Sequence, residues 1–144
     1  MALSKEQFEA ILTHRSIFYF VYPPLNTPDP HYFVCVGQLP SGEYAFSCCT
    51  SQFNTVRKFV EIRRLPNTTL VFMPPAVDNP FDRDTYVNCN EYFGFHKADL
   101  WEMYNLGSLT EHGEFPLESY EQIVIGFKDS TIIDEELKDN LPEV

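Results

Sequence analysis

Positive charge is scarce in this sequence. Ten lysines and arginines stand against 21 aspartates and glutamates, for a formal net charge of −11. Such a chain repels bulk nucleic acid and acidic membrane surfaces, so its charge serves solubility or a cationic partner and still leaves room for one local basic cleft. Glycine is also scarce, six in 144 residues. No Gly-rich phosphate loop is present, and no P-loop, Rossmann, metalloprotease or nucleophile-elbow motif, which argues against a nucleotide-dependent enzyme. The four cysteines, Cys35, Cys48, Cys49 and Cys89, form no CxxC pair, so the sequence predicts no zinc site and no other metal or cofactor. Met1 to Arg15 lacks the uninterrupted apolar stretch of a signal peptide, and no membrane segment is expected. These features predict a cytoplasmic protein with reduced thiols, each packed as a small hydrophobe.

Aromatics are plentiful: 15% of the chain, chiefly 13 Phe and 8 Tyr. With 44% hydrophobic residues, the chain can bury a core as a single domain over 1–144. Ser4 with Gln7 reads as a capping box opening a short amphipathic helix within 1–15. Strands are expected over Ser16–Tyr22, His31–Gly37, Glu43–Thr50, Thr68–Met73 and Thr85–Cys89, all within 16–90. A Pro-rich loop fills Pro23–Pro30, and Pro40-Ser41-Gly42 turns the second and third strands into an antiparallel hairpin. Val56–Ile62 is read as extended, and the Pro- and Asp-containing stretch Ala76–Asp84 as a loop. Helices are expected over Lys97–Asn105 and Pro116–Lys128, making 97–130 a helical part, with 131–144 a partly solvated acidic tail. The fold class is α+β, mainly β: a small SH3-like barrel or strongly bent antiparallel sheet, with a short N-terminal helix and C-terminal helices.

One constellation carries chemistry. His31 opens one strand of the expected hairpin and Thr50-Ser51-Gln52 closes the other, so the two groups lie at the same end of the sheet. Arg57 and Lys58 follow closely, and Arg63 and Arg64 extend the local concentration of positive charge. RNA can be cut by its own 2′-hydroxyl, a reaction that needs a base, an acid and donors aimed at the phosphorane oxygens. An imidazole titrates near neutrality, so His31 suits the base or acid. Thr50 and Ser51 suit donation to the phosphate, and Arg57 or Lys58 suits its developing charge. Gln52, Arg57, Lys58 and Phe53 are the expected RNA-binding residues, with Phe53 or Tyr22 offering a face for a splayed base.

Each assignment has a structural alternative. His31 also suits a strand-edge hydrogen bond, Thr50-Ser51 the termination of a strand by bonding nearby backbone, and the Arg/Lys group a solvated surface. Asp78, Asp82 and Asp84 read as turn chemistry, His96 and His112 as surface residues, and Trp101 and Tyr104 as core packing or an oligomer contact.

These residues resemble the MazF, PemK and Kid toxin family. His31-Tyr32-Phe33-Val34-Cys35-Val36 is similar to its R-P-V-L-V-I strand opening, and Thr50-Ser51-Gln52 to its Thr-Ser/Ala-Gln/Asn step. Asp84-Thr85-Tyr86-Val87 is similar to its D-S-x-V/I strand, and Leu117–Phe127 to its terminal helix. The resemblance covers roughly Ile17 to Ser130 and departs where the family usually has a catalytic arginine, since His31 holds that position. It implies an SH3-like barrel, metal-independent cleavage of single-stranded RNA, a homodimer and an inhibiting antitoxin partner. Two other readings compete: a non-catalytic binding module on the same barrel, and an acidic protein mimicking nucleic acid through Asp134, Glu135, Glu136, Asp139 and Glu143.

Overall fold

A computed structural model describes residues 2–25 and 28–143. The short helix α1 (Lys5–Ala10) begins with the expected capping box, since Ser4 Oγ accepts from Gln7 N–H and the Gln7 side chain accepts from Ser4 N–H. Strands β1 (Ser16–Phe20), β2 (His31–Gln38) and β3 (Tyr44–Thr50) follow, with Gly42 at φ +93° supplying the left-handed residue of the β2–β3 turn. Helix α2 (Phe53–Ile62) precedes β4 (Leu70–Met73), β5 (Thr85–Asn88) and β6 (Phe93–Phe95). Helix α3 (Lys97–Asn105), strand β7 (Leu109–Glu114), helix α4 (Leu117–Asp129) and helix α5 (Glu135–Asp139) complete the chain.

The protein is α+β and mainly β. Among the described residues, seven strands form one antiparallel sheet, six of them in the order β4-β5-β3-β2-β1-β7 and β6 paired with β3 off that path. The outer edge of β3 is shared, with β6 along Tyr44–Phe46 and β5 along Cys49–Thr50. Register shifts between Ser16 and Phe18 and between Cys35 and Gly37 are bulges, which bend strands and increase their twist. No described pair joins β4 to β7, so the pairing supports the bent sheet of the two expected forms.

Both faces are buried, which explains the nearly unbroken apolar runs of β1 and β2. Alternation sends Ile17, Val34 and Val36 to one face, under Ile123, Val124 and Phe127 of α4 and Leu137 of α5. It sends Phe18, Phe20, Phe33 and Phe46 to the other, under Phe8 of α1 and Leu100 of α3. Trp101 and Tyr104, partly buried, pack on Phe8 at 5.8 and 4.9 Å between ring centroids, the first of the two roles expected of them. The neighbouring cysteines divide as alternation requires: Cys49 is buried in the α4-side core and Cys48 packs against the aromatic core.

One expectation is corrected. Val56–Ile62 is helical, because Val56, Phe59 and Val60 repeat at helical spacing on one side while Arg57, Lys58 and Glu61 face water. The acidic tail is exposed at most of its described positions and anchored at three. Asp134 caps α5 by accepting from Leu137 N–H, and Ile133, Leu137 and Leu141 are buried in the α4-side core. Strands β6 and β7 were not expected from the sequence. Within the Pro-rich segment, Pro23–Leu25 forms a single 3-10 turn. Among the described residues, no helix is long and apolar enough to cross a membrane.

Candidate functional site

Antiparallel pairing of β2 with β3 sets Tyr32 opposite Cys49, so the next residues outward, His31 and Thr50, end neighbouring strands at the same edge. Strand β5 pairs Thr50 with Tyr86 and Cys49 with Val87. That pairing returns the loop before β5 to the same edge. The result is an open cleft of about 440 Å³. Its walls include His31, Thr50, Ser51 and Gln52, together with Tyr19, Tyr32, Asp82 and Arg83.

The surroundings fix the chemistry of several groups. His31 Nδ1 lies 3.1 Å from the carbonyl oxygen of Asp29. A carbonyl only accepts, so this bond requires the proton on Nδ1, and a neutral ring then presents the Nε2 lone pair. Thr50 Oγ1 accepts from Gln52 N–H at 3.0 Å and so terminates the strand, while its own hydroxyl proton stays available for donation. Tyr32 forms one wall, with its ring stacked on Tyr19 at 4.4 Å and edge-on to Phe81 at 5.4 Å. Burial raises the Tyr32 phenol pKa, and the nearby Tyr19 and Asp82 add to the shift, so the phenol stays protonated as a donor.

The loop carrying Asp82 and Arg83 is held at both ends. Asn79 Nδ2 donates to Pro74 O at 2.9 Å, Asn79 Oδ1 accepts from Phe81 N–H at 3.0 Å, and Thr85 Oγ1 donates to Arg83 O at 3.0 Å. Phe81 anchors it by packing on Phe115. The Arg83 guanidinium is exposed and lies 3.4 Å from Asp82 Oδ1. Asp82 thus sits beside Arg83, and Asp29 and Asp82 both line the cleft.

The expected site residues fall into two groups. His31, Thr50, Ser51 and Gln52 come together. Phe53 and Arg57 do not join them and instead line a second groove with Tyr86 and Leu70, while Lys58 is exposed on α2 and outside the cleft lining. Helical geometry is the cause, because coiling Phe53–Ile62 carries its cations away from the strand end that extended chain was expected to flank. Arg57 pairs with Glu61 at 2.8 Å, one turn along.

Arg83, Tyr19 and Tyr32 were not foreseen as cleft residues. Arg83 stood within an Asp-Arg-Asp loop that reads as turn chemistry, and only the β3–β5 pairing brings it to Thr50. His112, exposed as expected, is edge-on to Tyr32 at 5.2 Å and within reach of Thr110 Oγ1 at 3.0 Å. Among the described residues, no three His, Cys, Asp or Glu side chains gather closely enough to hold a metal ion. Compared with protein-family models, curated proteins and solved structures, the chain matches none.

Proposed function

We propose that the protein is a metal-independent endoribonuclease of toxin–antitoxin type acting on single-stranded RNA, with its reaction centre in the cleft at His31. The carrying observation is the convergence of His31, Thr50, Ser51, Gln52 and Arg83 on one open cleft. In this reading neutral His31 takes the proton from a ribose 2′-hydroxyl through Nε2. The 2′-oxygen forms a bond to the adjacent phosphorus, the bond from phosphorus to the 5′-oxygen breaks, and that leaving oxygen takes a proton from water. The products are a 2′,3′-cyclic phosphate and a 5′-hydroxyl, with no redox change. Thr50 and Ser51 donate to the non-bridging oxygens, and Arg83 takes the charge-balancing role first assigned to Arg57 or Lys58. Free Cys35, Cys48, Cys49 and Cys89 suit a reducing cytoplasm. A homodimer and an antitoxin partner belong to the reading through the family resemblance alone.

The test is incubation of purified protein with long single-stranded RNA in EDTA. Wild type is expected to leave 2′,3′-cyclic phosphate ends. His31→Ala should lose roughly 10²-fold or more of that activity, the usual contribution of a positioned proton acceptor. Arg83→Ala and Thr50→Ala should each lose at least about tenfold, and Lys58→Ala much less. Full activity in folded His31→Ala or Thr50→Ala rejects the site assignment. Asp29 and Asp82 beside the cleft favour a second reading, a non-catalytic binding module for a cationic partner. No cleavage by folded, partner-free protein would select it.

A further inference from the structure

On the sheet face opposite the Met73 and Val87 side chains lies an exposed aromatic row. Tyr86 packs between Phe53 at 4.8 Å and Phe72 at 5.1 Å. Phe53 is 36% and Phe72 48% exposed, high values for rings that size. Beside the row runs a groove of about 380 Å³ lined by Phe53, Arg57, Leu70 and Tyr86. Arg57 stands 5.8 Å over the Phe53 ring, and Arg63 stands 4.3 Å over Phe59 on the same helix. Arg57, Lys58, Arg63 and Arg64 are four of the chain's ten basic residues, with only Glu61 against them from Phe53 to Arg64. In a chain of net charge −11, this segment has the opposite sign to the chain as a whole.

We propose that this face is a second binding track for single-stranded RNA, in which bases stack on Phe53 and Phe72 while α2 cations hold the phosphates. The inference rests on the RNA reading of the cleft and extends it. The two sites are adjacent in the chain: Gln52 and Thr85 border the cleft, whereas Phe53 and Tyr86 border the groove. A strand leaving the cleft therefore meets the aromatic row by turning around the sheet end at Gln52-Phe53. Exposed rings beside cations suit nucleic acid, because every base has a face to stack and every linkage a charge to meet. An acidic protein segment would satisfy the cations but not explain two outward rings.

The experiment is fluorescence anisotropy with a short 2′-O-methylated single-stranded oligonucleotide. It lacks the attacking hydroxyl, so binding is read without cleavage. Phe53→Leu and Phe72→Leu keep apolar bulk at exposed positions, and circular dichroism checks their folding. Each should weaken binding at least about fivefold, from stacking worth about 1–3 kcal/mol per base. Arg57→Ala should lower the slope of log affinity against log salt by about 0.7, one phosphate on a single strand. If wild type binds and all three variants bind like it with unchanged slope, the track is refuted and the cleft reading stands. If wild type does not bind, both fall. If Phe72→Leu binds RNA normally but converts a dimer to monomer by sedimentation, the face serves self-association and the inference is overturned.

Discussion

Adding one methyl group at Gly126 tests how α4 sits on the sheet. In an ordinary helix interior, Gly→Ala stabilises by about 1 kcal/mol, because glycine loses more backbone entropy on folding. Here a Cβ would stand 2.7 Å from the Thr68 carbonyl oxygen, 2.8 Å from Cys89 Sγ and 3.0 Å from Cys89 Cβ, where 3.4–4 Å is ordinary contact. The turn bearing Thr68 cannot easily retreat. Thr69 N–H and Oγ1–H both donate to Pro66 O, Cys89 N–H donates to Thr69 O at 2.7 Å, and Thr68 Oγ1 donates to Asp129 at 2.6 Å. Overpacking of this kind costs about 1–3 kcal/mol, enough to cancel or exceed the helix gain. Gly126→Ala is therefore expected to destabilise by up to about 2 kcal/mol in urea unfolding, a Tm drop of up to several degrees in a domain this size. Adding Cys89→Ala to that variant should relieve the sulfur clash but leave the carbonyl clash, and so recover part of the loss. A rise in stability for Gly126→Ala would refute the described seating of α4.

Two further outcomes follow from buried polar groups. The Tyr120 hydroxyl donates to Val36 O at 2.7 Å, and Val36 is the extra residue of the β2 bulge between Cys35 and Gly37, so Tyr120→Phe should cost about 1–3 kcal/mol in denaturant unfolding; an unchanged midpoint would mean that carbonyl has another partner. Burial lifts the Cys35 thiol from 9.0 to about 12, does the same for Cys48 with help from Glu91, raises Cys49 well above its ordinary value, and raises Cys89 further than Cys35 and Cys48. The folded state thus holds these protons more tightly than the unfolded chain, so their contribution is complete below pH 9 and is lost as pH climbs toward 12. Thermal melts should fall steeply across that alkaline window, and a flat Tm there would place the thiols in water.

Sequence legibility followed the reach of the interactions involved. The Ser4–Gln7 capping box, the β2–β3 hairpin and the 3.6-residue periodicity of α3 and α4 are set within a few residues, and each element formed where read. β6, Phe93–Phe95, is too short for its alternation to signal a strand, and β7 reads Leu-Thr-Glu-His-Gly-Glu, almost wholly exposed, with no apolar alternation to detect. Their strand character comes from partners, β3 and β1. The α2 segment misled because Val56, Val60 and Ile62 are β-branched, yet Val56, Phe59 and Val60 are spaced as on one helix face. The cleft divides in the same way. His31 and Thr50 were legible through hairpin geometry, whereas Arg83 needed the non-local β3–β5 ladder.

The acidic composition and the RNA reading constrain each other. A chain of net charge −11 cannot rely on its overall field to gather RNA, so association must depend on local charge and on stacking. The cleft alone is poorly suited to capture, because among the described residues Arg83 is the one arginine or lysine that lines it and Asp29 and Asp82 line it too. The surface from Phe53 to Arg64 is better suited, with four cations and one carboxylate beside exposed rings. Capture and cleavage would then be divided across the sheet end: α2 and the aromatic row hold the strand, and His31 acts on the nucleotide that rounds the edge. Such a division predicts that raising salt weakens binding through α2 while leaving the cleavage rate of saturated protein nearly unchanged, measured as kcat against KM over a salt series. A fall in kcat with constant KM would instead place the salt-sensitive contacts at the reacting phosphate, and the cations of α2 would have no part in holding the strand.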